Sequence, residues 1–160
     1  MNPELKLVVF DLDFTLWDCG GTWCDCLSPP FRYEGKKIYD SRSHHVRLYD
    51  DVLSILERLE MKGMTMALAS RTHEPSWAEE LIQMLEISHY FEFKEIYPSS
   101  KLRHFRALQN DTGVDYENML FFDDEMRNIR EVGDLGVKCI YLENGLSNKK
   151  MQEGLKLFTQ

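Results

Sequence analysis

Two unbroken apolar runs stand out along the chain, Leu7-Val8-Val9-Phe10 and Met119-Leu120-Phe121-Phe122, and each runs directly into acids. Short apolar runs without alternation predict strands buried on both faces, as in a parallel sheet. Thr65 to Ala69 predicts another such strand, stopped by Ser70-Arg71-Thr72. Phe91 to Tyr97 alternates apolar with charged positions, the pattern of an edge strand with one wet face, and Val137 to Leu142 predicts the fifth strand. Between these lie helical periods. Val52, Leu53, Leu56 and Leu59 mark a helix between Asp50 and Gly63, and Trp77, Leu81, Met84 and Leu85 mark one that starts near Pro75 and ends near Glu86. Leu102, Phe105 and Leu108 or Gln109 line a third, ended by Thr112-Gly113. Ile129, Val132 and Leu135 mark the fourth, and Met151, Leu155 and Phe158 the last, behind a Ser147 cap. Five strands alternating with five helices predict an α/β fold: a three-layer, doubly wound parallel sheet with right-handed crossovers. A single domain over residues 1–160 is expected, with residues 18–48 as a hairpin-like flap over the carboxyl end of the sheet and no separate cap domain.

In an open α/β sheet, ligands bind at the carboxyl ends of the strands. Asp11 and Asp13 follow the first strand, Ser70 the second, Lys101 lies shortly after the third, and Asp123-Asp124 follow the fourth. If the first strand is central with the second and fourth beside it, all of these converge. Like charges about 4 Å apart cost on the order of 4 kcal/mol per pair at an effective dielectric of 20. A hard cation removes that cost, and Mg²⁺ suits carboxylates with no His or Cys pair beside them. Metal and Lys101 together would attract a phosphate that the acids alone repel. A carboxylate could then attack the phosphorus, a second one two residues on could serve as general acid and base, Ser70 could donate to a phosphoryl oxygen, and Lys101 could balance charge. Arg71 could fork onto a substrate oxygen, and Asn128 suits holding an acid or a cap in its loop. Glu125 is expected to be solvated. Trp17, Trp23 and Phe31 suit packing, yet a flap aromatic over the crevice would recognise an aryl group, and Trp17 is placed with Ser70, Arg71 and Lys101 among the substrate contacts.

Composition narrows the partners. With 27 Asp plus Glu against 19 Lys plus Arg, the net charge is −8 and no basic run appears, so nucleic-acid binding by phosphate neutralisation is disfavoured. No apolar stretch approaches the roughly 20 residues that span a bilayer, and no membrane partner is expected. Cys19, Cys24, Cys26 and Cys139 lack zinc-site spacing and read as free thiols of a reducing compartment, cytoplasmic or nuclear. A monomer or weak oligomer is expected.

Asp11-Leu12-Asp13-Phe14-Thr15, Ser70, Lys101 and Phe122-Asp123-Asp124 resemble, in order, the four motifs of the haloacid dehalogenase superfamily. Ser70-Arg71-Thr72, Ile96 to Lys101 and Phe121 to Asn128 resemble its capless magnesium-dependent phosphatase-1 type. That resemblance implies Asp11 as nucleophile and Asp13 as general acid and base. It also implies Mg²⁺ held by the Asp11 carboxylate, the Asp13 main-chain carbonyl and the Asp123-Asp124 pair, with Asp124 direct and Asp123 through water. The implied activity is hydrolysis of phosphotyrosine in proteins, or of phosphorylated sugars or glycated amines. A phosphotransferase or mutase, and a non-catalytic receiver-like switch, are the rival readings.

Overall fold

A computed structural model describes residues 3–159. Its main sheet has five parallel strands in the order β7-β6-β1-β8-β9: β1 (Leu7–Phe10), β6 (Thr65–Ser70), β7 (Phe93–Ile96), β8 (Met119–Asp123) and β9 (Lys138–Tyr141). The central strand has a fully buried residue at every position because each face of the sheet is covered. Val8 and Phe10 point to the side of α1 (Val52–Met61), α2 (Pro75–Met84) and α5 (Asn148–Lys156). Leu7 and Val9 point to the side of α3 (Lys101–Thr112) and α4 (Met126–Gly133). Period-two alternation therefore feeds two separate apolar layers, and each fully buried Leu, Val or Phe side chain contributes about 1.5–3 kcal/mol. This is the doubly wound sandwich that the patterning predicts.

Helix ends follow local chemistry. The Ser100 hydroxyl accepts from the Arg103 N–H to cap α3, and Gly113 closes that helix at φ 72°, a left-handed conformation that costs glycine little. The buried face of α3 differs from the expected one: Lys101 and His104 are buried together with Phe105 and Leu108, while Leu102 is only half-buried. Two polar residues take the inward positions because each has a partner there: Lys101 meets the acids at the strand tips, and His104 Nε2 donates to the Tyr97 carbonyl.

The flap is more regular than a hairpin. β2 (Trp17–Cys19), β3 (Arg32–Glu34), β4 (Lys37–Tyr39) and β5 (His45–Leu48) form an antiparallel sheet in the order β2-β5-β4-β3, with a single 3-10 turn at Cys24–Cys26. Its inner residues Trp17, Cys19, Cys24, Leu27, Ile38 and Val46 join the apolar layer beneath α1 and α2. Buried Asp40 staples the far end, accepting from the main-chain N–H of Ser28, Arg42 and His44.

Candidate active site

Strand register brings the acids together. Phe10 of β1 pairs with Phe122 of β8, and the ladder continues as the Asp11 N–H donates to the Phe122 carbonyl at 3.1 Å. Asp11 and Asp123 therefore lie side by side, each one residue past that pair. On the other flank, Phe10 pairs with Leu68, so Ser70 ends β6 close to the same edge. Carboxylate oxygens of Asp11, Asp123 and Asp124 lie within 4.8 Å of one another.

Lys101, 90 residues from Asp11 in sequence, holds this cluster. Its Nζ donates to Asp11 Oδ1 at 3.0 Å and to the Ala69 carbonyl, and lies 3.2 Å from Asp123 Oδ2. Burial opposes its charge, but Asp11 and Asp123 outweigh that and push the Lys101 pKa up. The acids respond oppositely. Burial, reinforced by Asp123, lifts the Asp11 carboxyl well above the usual range despite Lys101. Burial also pushes Asp124 up to about 7, partly offset by its hydrogen bond with Asp11. One lysine does not neutralise three carboxylates, so the cluster retains a demand for positive charge.

Neighbouring side chains fix each acid. Thr15 Oγ1 donates to Asp11 Oδ2 at 3.2 Å. Asp123 accepts at Oδ1 from the Glu125 N–H and at Oδ2 from Asn128 Nδ2, 2.9 and 3.0 Å respectively, so its lone pairs are heavily used. Asp124 is half-buried and lines the crevice. Asn128 also accepts from Arg71 Nη1 at 3.2 Å, linking the arginine after Ser70 to the loop after β8.

These groups floor an open crevice of about 380 Å³, walled by Trp23, Asp25, Ser70, Arg71, Thr72, Glu125 and Arg127. Sequence reasoning names Asp11, Asp13, Ser70, Arg71, Lys101, Asp123 and Asp124, and the fold brings all of them to one edge. Trp17 is the correction. It is fully buried, does not line the crevice, and donates through Nε1 to Asp13 Oδ1 at 2.7 Å. Its indole faces inward because the chain reverses sharply after Asp13, so it packs under the flap where no substrate reaches it. Glu125 is exposed, as expected, and it also lines the crevice, its Oε2 3.4 Å from Asn128 Nδ2. Trp23 is the flap aromatic that reaches the crevice, whereas sequence reasoning does not single out Asp25, Thr72 and Arg127 at the mouth as site residues, and the flap that delivers Asp25 has no helical or alternating pattern.

Asp13 stands apart from the three clustered acids. Its Oδ1 accepts from Trp17 Nε1 and from the Cys24 N–H at 2.9 Å, with Cys19 Sγ at 3.8 Å. Burial raises its pKa, and the Trp17 hydrogen bond moderates the rise. Burial likewise pushes the Cys19 and Cys24 thiols up, which leaves them protonated and unreactive. Among the described residues no helix is long and apolar enough to cross a membrane.

The family model described as Acid Phosphatase matches residues 3–160. Magnesium-dependent phosphatase 1 of Homo sapiens is 43% identical over 157 residues, covering 97% of this chain and 88% of that protein. A HAD-like hydrolase superfamily protein of Schizosaccharomyces pombe is 35% identical, covering 82% of each. Among solved structures, a HAD-superfamily hydrolase from Ehrlichia chaffeensis superimposes with a TM-score of 0.68 at 14% identity, covering 98% of both chains. A HAD-family enzyme from Bacteroides thetaiotaomicron, solved with magnesium and inorganic phosphate, superimposes with a TM-score of 0.67 at 15% identity, covering 92% of this chain and 98% of that one.

Proposed function

We propose, for a chain that belongs to the Acid Phosphatase family and is a magnesium-dependent phosphatase of the haloacid dehalogenase superfamily, that it hydrolyses phosphomonoesters through an aspartyl-phosphate on Asp11. The carrying observation is the buried Lys101 Nζ between Asp11 Oδ1 and Asp123 Oδ2, at the floor of a crevice edged by Asp124. The donor set suits magnesium: three carboxylates with converging oxygens, no His or Cys among them, and more negative charge than Lys101 balances. When bound, that ion neutralises the carboxylates and draws charge from the phosphoryl oxygens.

The remaining work falls to side chains. Lys101 and Thr15 fix the two oxygens of Asp11, so the nucleophile is oriented before substrate arrives. As Asp11 forms its bond to phosphorus, the ester oxygen leaves and takes a proton from Asp13. Asp13 then takes a proton from the water that attacks the same phosphorus and releases Asp11. Burial suits Asp13 to that exchange, because its raised pKa keeps a proton available nearer neutral pH. Ser70 and Arg71, on the crevice wall, donate to the phosphoryl group or the substrate beyond it.

Phosphotyrosine in proteins, phosphorylated sugars and phosphorylated glycated amines are the proposed substrates. Half-exposed Trp23 on the crevice wall and the open mouth support an aryl or side-chain phosphate. The presence of Asp13 at the same crevice favours turnover over a long-lived phosphorylated switch. An acid-quenched turnover mixture reduced with borohydride tests the nucleophile. Homoserine at position 11 is the expected product, and its absence while phosphate is released would rule out the covalent step. Ranking kcat/KM over phosphotyrosine peptides, phosphoserine peptides and sugar phosphates, with and without excess alcohol acceptor, separates hydrolysis from phosphotransfer.

A further inference from the structure

Trp17 has no surface to offer a substrate, yet its polar atom is committed to the second aspartate of the nucleophile strand. Between them the chain makes a tight turn in which the Leu12 carbonyl accepts from the N–H groups of Thr15, Leu16 and Trp17. Phe14 sits in the left-handed region at φ 59°, a conformation that costs a non-glycine residue on the order of 1–3 kcal/mol. The turn closes with Asp13 bridging Trp17 and the Phe14 N–H donating to the Trp17 carbonyl. The strain is balanced by what the turn achieves. It brings the indole back over Asp13, where Nε1 donates to Oδ1 at 2.7 Å.

The flap adds a second donor. The Cys24 N–H, at the start of the 3-10 turn, reaches the same oxygen at 2.9 Å. Cys24 is itself tied to the strand edge, its Sγ donating to Thr72 Oγ1 at 3.4 Å, and the Thr72 N–H donates to Ser70 Oγ at 3.3 Å. Two N–H donors on one carboxyl oxygen decide where its proton goes. An oxygen that accepts both is the carbonyl-like one, and the acidic hydrogen belongs on Oδ2.

Resting on the reading of Asp13 as general acid and base, the geometry points to Trp17 as a positioning residue. With the Cys24 main-chain N–H it clamps Asp13 Oδ1, so that Oδ2 is the oxygen presented to the leaving group and then to water. A carboxyl group turns easily about its last bond, and an unclamped Asp13 exchanges its two oxygens and loses aim. The flap is then the seat of the acid rather than a lid over the substrate. The fully buried indole cannot act by touching the substrate, so its influence passes through Asp13 alone.

The test compares kcat/KM for an alkyl phosphate, whose alkoxide needs a proton to leave, with p-nitrophenyl phosphate, whose phenolate does not. This ratio covers steps through formation of the aspartyl-phosphate and excludes its hydrolysis. Trp17→Phe lowers the alkyl-to-aryl ratio about 10-fold or more. A variant that only loosens the fold lowers both values and leaves the ratio where it was, which would overturn the proposal. Asp13→Ala serves as the control and lowers the same ratio further. If Asp13→Ala leaves the ratio unchanged, the general-acid reading falls and takes the proposal with it. If Asp13→Ala shifts the ratio and Trp17→Phe does not, only the proposal falls. Because Trp17→Phe removes buried packing, a second measurement stands apart from its folding. The Trp17 indole N–H resonance of the unaltered chain sits downfield and moves upfield in Asp13→Ala, and an unmoved resonance would refute the clamp.

Discussion

Replacing Lys101 by Met keeps the aliphatic stem and removes the ammonium. Only 1% of Lys101 is exposed, and Asp123 beside it is fully buried. Loss of the cation strands two carboxylates that, among the described residues, no other cationic side chain pairs with. Breaking a buried pair from one side costs about 3–5 kcal/mol. In a chain of this size each kcal/mol moves the melting temperature by roughly 2–4 °C, so a fall of roughly 6–20 °C is expected in metal-free buffer at pH 8. The pH dependence has a definite sign. Asp11 has a folded pKa above its unfolded one, so the folded state binds the extra proton and stability falls as pH rises through the interval between the two. Without Lys101 that interval widens, and the gap between variant and unaltered chain grows from pH 5 to pH 8. Magnesium supplies the missing charge, so it raises the melting temperature of Lys101→Met by more than it raises that of the unaltered chain. Phosphatase activity falls about 10²–10³-fold even with saturating magnesium, because Lys101 also fixes the nucleophile. Differential scanning fluorimetry with EDTA, then with magnesium, at three pH values measures all but the last, and steady-state kinetics measure that. A variant that melts within about 2 °C of the unaltered chain at pH 8 in EDTA would refute the counter-ion role.

Asp11→Asn abolishes turnover but melts no lower than the unaltered chain in EDTA, since repulsion with Asp123 and Asp124 is relieved without opening a cavity; near-normal turnover would refute the nucleophile assignment. His104 is fully buried, its Nε2 donates to the Tyr97 carbonyl at 3.0 Å, and burial, aided by Lys101, depresses its pKa to about 4. A depressed base supplies stability that is complete above its unfolded pKa of about 6.5 and lost as pH falls toward 4, at most about 3 kcal/mol. Urea midpoints for His104→Gln should therefore decline less steeply than those of the unaltered chain between pH 6.5 and 4.5, and parallel declines would count against it. Ser100→Ala removes the cap of α3 and costs about 1 kcal/mol, read as a fall of roughly 2–4 °C in melting temperature.

Much of this was written locally. The apolar run Leu7–Phe10 suits a strand covered on both faces, and the structure buries all four residues completely. The same holds for Met119–Phe122, and acids placed directly after such strands had to emerge at their carboxyl ends. Period-two and period-3.6 patterns survive translation into structure because they express which face of an element meets apolar neighbours. Local pattern misjudged α3, where Lys101 and His104 point inward: a polar residue turns inward only for a partner elsewhere in the fold, here Asp11, Asp123 and the Tyr97 carbonyl.

Trp17 shows the boundary most clearly. Its sequence neighbours announce an aromatic close to the nucleophile and nothing more. A tryptophan presents a large apolar body and one donor, and hydrophobic patterning reads the body alone. Whether that donor meets a substrate or Asp13 depends on the turn at Leu12–Leu16 and on how the flap packs against α1 and α2. The chain by itself thus determined the sheet, its coverage and the edge at which the acids gather. Tertiary structure decided which oxygens Lys101 grips, that Trp17 serves Asp13 from within, and that Trp23, Asp25 and Arg127 wall the crevice, because such pairings join residues far apart in sequence whose approach only the crossovers and the register of β1 against β8 can set.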